Sequence, residues 1–570
     1  MSASALLVQA ETAAASAFWG SLRRFWTEGF AVASPASFAF AVSLIWTAFY
    51  NTQFWQLTVD AMGFAGLRSA AFLGTLIVCV VTAQATLLLL LPTRRTLKIG
   101  TALLFVVAAF SSYFGNTYGA IFNQEMMRNV LETDTAEVGG LMNADLVSHV
   151  LVFGLLPAMV VSRARISASP WRTQLQQRGI ALGIAWLIVV VGLFAASANY
   201  AVFLRQHKPI RYTLVPVAPL TSSIELAKAD MRRSHQGPLL NPGGAVQRVG
   251  VTISTRPLLV FLVVGETARA GNFQLGGYDR ATNTRLKDVP GLVYYDHAAS
   301  CGTSTAVSVP CIFSVFGREQ FDVGKAGNYV NLLDTLASAG VEVEWRDNNA
   351  GCKGVCARVK STQYAPSTAS PNCVNSYCFD EVMLDDLAQR VDTVRRDTVI
   401  VFHQIGSHGP AYAERYPPRF EVFKPVCRSS ELQHCTSQEL RNAYDNSIAY
   451  TDYVLSRQIE ILRKASDRFD TMLIYASDHG ESLGELGVYL HGMPYAFAPE
   501  DQKRVPMLVW TSSAFRSRIG MDDNCLQKHA HDAVSHDNLY HTMLGVAGLS
   551  NKVYDPQLDL LKNCRSSASL

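Results

Sequence analysis

Five nearly continuous apolar stretches, at about 37–57, 69–92, 99–120, 146–162 and 179–203, fall within the first two hundred residues of a 570-residue chain. At 1.5 Å of rise per residue each can cross the roughly 30 Å hydrocarbon core of a bilayer, where only helices or closed barrels satisfy their backbone groups. The fourth stretch is the shortest and carries His149, so a buried or interfacial helix is its alternative reading. The first lies too far from the start, and lacks a small-residue cleavage site behind it, to read as a removable signal; it is expected to stay as an anchor. A hydrophobic fraction of 49% fits a chain partly dissolved in lipid. The net charge of only +3, with no basic run interleaved with aromatics, argues against a nucleic-acid surface.

Loop charges orient these spans. Arg23 and Arg24 precede the first, Arg94, Arg95 and Lys98 separate the second and third, and Arg163, Arg165, Arg172 and Arg178 separate the fourth and fifth. The positive-inside rule places those positions in the cytoplasm. The loop at 121–145, with Glu125, Glu132, Asp134, Glu137 and Asp145 against Arg128, suits the other side. Five spans then export everything after about residue 205.

Cysteine placement tests that orientation independently. Cys79 lies within the second span, as a small apolar filler, and the other ten all follow residue 300. They fall as near neighbours, Cys301 with Cys311, Cys352 with Cys356, Cys373 with Cys378 and Cys427 with Cys435, leaving Cys525 and Cys564. An even set confined to the exported part reads as disulfides in an oxidising compartment. Zinc-ribbon pairs are the rival reading, although the gaps vary and only Cys352 and Cys356 resemble a metal knuckle.

Domain organisation follows from texture. Residues 1–204 form the membrane domain; 205–250, rich in Pro and Gly, read as a linker with one helix at SSIELAKADMRRS; 251–570 form an exported domain. In the last part, short β-branched runs at 257–264, 341–345, 397–405, 470–477 and 505–510 alternate with helical segments. That alternation predicts an α/β domain with a mainly parallel sheet covered on both faces by helices.

Ligands of such sheets gather beyond the carboxyl ends of the strands. Glu266 follows PLLVFLVVG, His408 follows TVIVFHQIGS, and Asp478 and His479 follow DTMLIYAS, with His491 a few residues on. Carboxylate and imidazole together suit Zn²⁺, which keeps a position open when catalytic. The segment HAASCGTSTAVSVPCIFS adds Ser300, Thr303, Ser304 and Thr305 between two cysteines, either a helix-capping cluster or the source of a metal-activated nucleophile. His529, His531, His536 and His541 read as structural, because SHDNLYHTMLGVAGL has the pattern of an amphipathic helix packed on the sheet.

The motifs VVGETARAGNFQLGGY, SCGTSTAVSVPCIFS, WRDNNAGCKGVC, HQIGSHGPAY, SDHGESLGE and YLHGMPYAFAP, in this order behind five spans, closely resemble the lipid A phosphoethanolamine transferases of Gram-negative inner membranes, a group that includes the mobile polymyxin-resistance enzymes. The resemblance covers nearly the whole chain. It implies five transmembrane helices followed by a periplasmic alkaline-phosphatase-like domain, with the N-terminus cytoplasmic. It implies Thr305 as the nucleophile, and Glu266, Thr305, Asp478 and His479 as ligands of one tightly held zinc, with room for a second during turnover. His408 and His491 match residues contacting the transferred phosphate or a second zinc, and Lys353 matches a phosphate-contacting lysine. Asn129, Thr133 and Glu137, in RNVLETDTAE, match a headgroup-binding segment that residue chemistry alone would pass as a solvated turn.

The implied reaction has phosphatidylethanolamine as donor, a phosphothreonine intermediate and a lipid A phosphate as acceptor, lowering surface negative charge and polymyxin binding, in a monomer. Core sugars or another glycan are alternative acceptors. A sulfatase is disfavoured because Ile312 stands where the Ser-x-Pro-x-Arg pattern needs Arg. Lipoteichoic-acid synthases, which transfer glycerophosphate, are a closer rival, disfavoured by the exported cysteines and by HGMPYAFAP.

Overall fold

The computed structural model describes residues 27–62, 66–133, 138, 139, 141–167, 169–197, 200, 203, 207–233, 238–249, 256–374, 377–522 and 524–565. Arg23, Arg24 and Glu137 lie outside them. The chain divides into two compact units, one of residues 1–123 and 144–222 and the other of residues 124–143 and 223–570.

The first unit is helical: α1 (Pro35–Phe49), α2 (Thr52–Met62), α3 (Gly66–Leu89), α4 (Arg94–Tyr118), then, beyond α5 (Gln124–Glu132) of the second unit, α6 (Ala144–Ser162) and α7 (Trp171–Ala195). Among the described residues four helices are long and apolar enough to cross a membrane, at Ser69–Leu89, Arg94–Tyr118, Ala144–Ser162 and Trp171–Phe194. The first expected span is instead broken. Helix α1 has 15 residues, about 22 Å of rise, and the chain restarts as α2. The break has a polar cause: the buried Asn51 amide donates to the carbonyls of Trp46 and Val215, both at 2.9 Å, and its carbonyl accepts the Val215 N–H at 2.8 Å. Gln84 adds a donor to Val215 O at 3.0 Å.

Helix α6 is continuous, so the fourth stretch is long and apolar enough for a full span, with a π-helical turn at Val150–Leu155. Pro157 cannot donate to the carbonyl four residues back, and the Tyr50 hydroxyl takes that carbonyl, Phe153 O, at 2.6 Å. At one end of the unit, Ala164–Ile166 pairs in parallel with Phe30–Val32, and Arg178 donates to the carbonyls of Leu89 and Leu91 at 3.0 and 2.7 Å, capping α3.

The second unit is built on a seven-stranded sheet. Its strands are β1 (Leu258–Gly265), β2 (Leu292–Tyr295), β3 (Glu342–Asp347), β4 (Lys360–Gln363), β5 (Thr398–His403), β6 (Asp470–Ser477) and β7 (Met507–Thr511), in the order β2-β7-β6-β1-β5-β3-β4. The pairs β6/β1, β1/β5, β5/β3 and β3/β4 are parallel, whereas β7 runs antiparallel to both neighbours. Every residue of β1, β5 and β6 is buried, the signature of strands covered on both faces. Alternate residues feed two cores. Val260, Leu262, Val399 and Ile474 pack toward α9 (Thr305–Ile312), α10 (Leu332–Ser338) and α12 (Asp537–Val546). Leu259, Phe261, Phe402 and Leu473 pack toward α11 (Ser437–Lys464). The helix expected near 222–234 is α8 (Val217–Arg233).

Register fixes the site. Gly265 pairs with Ser477 and Val264 with His403, which in turn pairs with Asp347, so four strands end level with one another.

Candidate active site

Glu266 and Asp478 are the first residues beyond β1 and β6, and His479 follows; all three are fully buried. Their ligand atoms lie within 4.8 Å of one another. His479 Nε2 is 3.3 Å from Glu266 Oε1 and 3.3 Å from Asp478 Oδ2. The local backbone is shaped for this approach. A Cβ at Gly480 would lie 1.9 Å from the Asp501 carbonyl oxygen, and one at Gly406 would lie 2.6 Å from that of Glu266, so only glycine fits at either position. Thr267, in the left-handed region at φ 57°, donates its N–H to Asp478 Oδ1 at 3.1 Å and its hydroxyl to Glu266 Oε1 at 2.6 Å. Such a backbone costs about 1–3 kcal/mol and persists because the surroundings over-determine it.

The hydroxyl cluster is resolved by contacts. Ser300 donates to Gly302 O, Ser308 accepts the Gly302 N–H, and Thr303 donates to Met493 O at 2.5 Å. Thr305 reaches the cluster: its Oγ1 is 3.0 Å from Glu266 Oε2, 3.2 Å from Oε1 and 3.3 Å from His479 Nε2. As the first residue of α9, it also sits where a helix end favours a neighbouring anion. A Cys301–Cys311 disulfide ties the loop to that helix.

The remaining bridges join Cys352 to Cys356, Cys373 to Cys378, Cys427 to Cys435 and Cys525 to Cys564, while Cys79 is free. The Cys352/Cys356 pair is thus not a metal knuckle.

A small cavity of about 40 Å³ opens beside Thr305, lined by Asn129, Glu132, Thr133, Lys353, His408 and His491 among others. Besides Thr305 itself, seven expected site residues therefore meet around its hydroxyl or its cavity: Glu266 and His479 at the hydroxyl, and Asn129, Thr133, Lys353, His408 and His491 along the cavity. Lys353 Nζ lies 3.7 Å from Glu132, a partner that sequence reading assigned only to an acidic loop. The histidine rings adjoin in series, with centroids of His479 and His491 4.4 Å apart in a tilted contact and those of His491 and His408 5.4 Å apart edge to face.

Each of these rings is pinned at Nδ1. His479 and His408 donate to the carbonyls of Gly480 and Gly409, both at 2.8 Å, and His491 donates to Glu481 Oε2 at 2.8 Å. This is the arrangement that orients Nε2 in ligating or proton-transferring histidines. Glu481 is itself fully buried and accepts the Tyr412 hydroxyl at 2.5 Å.

Asn349 escaped the sequence reading, and His536, read there as structural, joins two parts of the site. Asn349 Nδ2 donates to Glu266 Oε2 at 2.7 Å and to Gln404 O at 2.9 Å. His536 accepts the Cys301 N–H on Nδ1 at 3.0 Å and donates from Nε2 to Ser477 O at 2.9 Å, joining the nucleophile loop to the strand that carries Asp478. The DNN and SHD segments hint at polar roles, but the partners are 83 and 235 residues away. Of the other three late histidines, His529 pairs with Asp532 and His541 with the Asp555 N–H nearby in the chain, whereas His531 pairs with Asp296, 235 residues away.

Electrostatics favour a cation. Burial pushes the Asp478 carboxyl up to about 6, aided by the charge of Glu266. Burial also opposes ionisation of Glu266, yet the hydrogen bond and charge of His479, with His408 and His491 beyond, hold it well below the usual carboxylate range. Burial alone would lower His479, but Asp478 and Glu266 raise it to about 10. Two buried acids thus flank one imidazole and hold a proton on it. Asp478 Oδ2 is buried with no hydrogen-bond donor in the cluster. Two carboxylates, an imidazole, an orphaned oxygen and a nearby hydroxyl fit a divalent metal with an N/O donor set.

Comparison with known proteins agrees. Residues 259–549 match the sulfatase family, and residues 80–231 match the family described as phosphoethanolamine transferase EptA/EptB. The chain is 38% identical over 536 residues to phosphoethanolamine transferase EptA of Escherichia coli strain K12, covering 92% of this chain and 96% of that protein. It is 36% identical over 512 residues to phosphatidylethanolamine transferase Mcr-1 of Escherichia coli, covering 88% and 94%. The integral membrane protein lipooligosaccharide phosphoethanolamine transferase A (EptA) from Neisseria meningitidis superposes with a TM-score of 0.89 at 34% identity, over 94% of this chain and 99% of that one. Apolar helices, a mainly parallel sheet and a buried acid–histidine cluster beside a hydroxyl thus accompany this similarity in sequence, and the chain belongs to the phosphoethanolamine transferases, membrane-anchored enzymes of the sulfatase superfamily.

Proposed function

We propose that the protein moves phosphoethanolamine from phosphatidylethanolamine to a phosphate of lipid A, through a phosphothreonine at Thr305. The observation that carries this is the approach of the Thr305 hydroxyl to Glu266 at 3.0 Å and to His479 at 3.3 Å. Named activities of the Escherichia coli relatives support the transferred group.

Zinc is the metal we assign, held by Glu266, Asp478, His479 and Thr305. When bound, it supplies Lewis-acid stabilisation of phosphoryl oxygens and lowers the hydroxyl pKa. The chain's own residues do the rest. Glu266 orients the Thr305 hydroxyl and is positioned to accept its proton as Oγ1 attacks the donor phosphorus. The bond from phosphorus to the diacylglycerol oxygen breaks, and the departing alkoxide takes a proton from the His408–His491 pair. Lys353 and those histidines bind the phosphate oxygens, while Asn129 and Thr133 line the approach used by the ethanolamine headgroup. A lipid A phosphate oxygen then attacks the same phosphorus, its proton passing to the His408–His491 pair, while the bond from phosphorus to Thr305 Oγ1 breaks and Thr305 regains the proton held by Glu266. Such transfers depend mainly on positioning and on neutralising charge at the equatorial oxygens.

The orientation we assign is N-terminus cytoplasmic and catalytic unit periplasmic, in the inner membrane of a Gram-negative cell, acting as a monomer. Disulfides confined to the second unit support it.

The test uses full-length protein in detergent with labelled phosphatidylethanolamine. Thr305→Ala is expected to abolish both transfer to lipid A and a phosphoethanolamine adduct on the peptide containing residue 305. Retained transfer, or an adduct elsewhere, would reject Thr305. Mass spectrometry of lipid A from cells with and without the gene tests the acceptor.

A further inference from the structure

We infer that the basic end of the membrane unit holds a binding site for a bilayer phospholipid with a net-negative headgroup, of the phosphatidylglycerol class. A cavity of about 750 Å³ opens there between the start of α4, the end of α6 and the strand Ala164–Ile166. Four cations line it, Arg94, Arg95, Lys98 and Arg165, and no acid does. Among the described residues none of the four is paired with a carboxylate. Arg94 is fixed by donating to Ile166 O at 3.3 Å, which ties the α4 start to that strand.

The rest of the wall is apolar. Ile99, Leu103 and Val106 carry it along α4, and Ala158 faces from α6. From Arg94 to Val106 the helix rises about 18 Å, so one wall passes from charge to hydrocarbon within a leaflet's depth. Ile99 and Leu103 are more than half exposed. A phosphate among the cations with an acyl chain along the groove satisfies both halves, whereas a free anion would leave the apolar wall unused.

Charge selects among lipids. A zwitterionic headgroup would bring its ammonium among four cations with no carboxylate to receive it, so the donor phosphatidylethanolamine is a poor occupant. The site is distinct from the Thr305 cavity, which belongs to the other unit. The positive-inside rule assigns this basic end to the cytoplasm, where basic pockets between helices bind anionic headgroups.

Native mass spectrometry of the full-length protein, titrated with dioleoylphosphatidylglycerol, dioleoylphosphatidylethanolamine, dioleoylphosphatidylcholine or inorganic phosphate, tests this. One phosphatidylglycerol is expected to bind at least about tenfold more tightly than either zwitterionic lipid, with affinity falling as salt rises. The triple variant R95A/K98A/R165A is expected to lose that preference while keeping basal transfer activity, which reports that it is folded. Ala102→Trp, which leaves every cation in place and fills the groove, is expected to weaken phosphatidylglycerol binding as well. Equal binding of the zwitterionic lipids, displacement of phosphatidylglycerol by phosphate alone, or unchanged selectivity in the triple variant would each overturn the inference.

Discussion

Asn349→Ala tests whether the metal site is held from behind. The Asn349 amide donates to Glu266 Oε2 at 2.7 Å and is anchored by Gln404 O at 2.9 Å, in a position only 8% exposed. A hydrogen bond to a charged group is worth about 1.5–3 kcal/mol, and losing it here frees one oxygen of a proposed ligand to rotate. At about 1.4 kcal/mol per tenfold, zinc affinity should fall about 10- to 100-fold, the range found when partners of metal ligands are removed. The assay is competition with a chromophoric chelator on the full-length protein, beside transfer rates across a zinc series. Because Thr305 is untouched, kcat at saturating zinc should return to within a few-fold of wild type. Zinc affinity within twofold of wild type would refute the positioning argument. Transfer that stays lost at saturating zinc would also refute it, because Asn349 would then act in the reaction itself.

Three other outcomes follow from the same geometry. Zinc must displace the proton held on His479, whose pKa is raised to about 10, and below about 6 that on Asp478 as well. Log affinity should therefore rise by about one per pH unit between those values and more steeply below them; calorimetry in buffers of differing ionisation enthalpy checks the proton count, and a pH-independent affinity would contradict it. His536 is buried neutral, its pKa pushed by burial from 6.5 to about 4, so its contribution to stability is intact above 6.5 and is lost as pH falls toward 4, by about 3 kcal/mol. His536→Phe, which strands the Cys301 N–H and the Ser477 carbonyl, should melt lower at pH 7 by an amount that shrinks on acidification; a constant gap would sink that reading. Glu481→Gln should cut kcat about tenfold through misorientation of His491 while leaving tight zinc binding unchanged, and a parallel loss of zinc would place Glu481 with the ligands instead.

Much of the architecture is written in local patterns. Apolar runs report helices in lipid because length and hydropathy are properties of contiguous residues. The runs at 257–264 and 470–477 report strands covered on both faces because their central positions are continuously apolar rather than alternating. Edge strands were less legible: KSTQ, at β4, is polar because only one neighbour and little core constrain it, and Leu292–Tyr295 is only four residues long. The antiparallel course of β7 was hidden altogether, since a buried strand reads the same in either direction. The split after α1 could not be read either, because the residue that causes it, Asn51, finds its partner 164 positions later.

At the site, the sequence by itself determined which chemistry could assemble, by leaving acids and histidines just past the ends of buried strands and by keeping paired cysteines out of the membrane part. Only the tertiary structure decided which of four neighbouring hydroxyls meets Glu266, which amide braces that acid, and which carboxylate turns His491. Strand register brings Gly265 level with Ser477 across more than two hundred residues, and hydrogen bonds of about 3 Å depend on that closure rather than on any spacing along the chain.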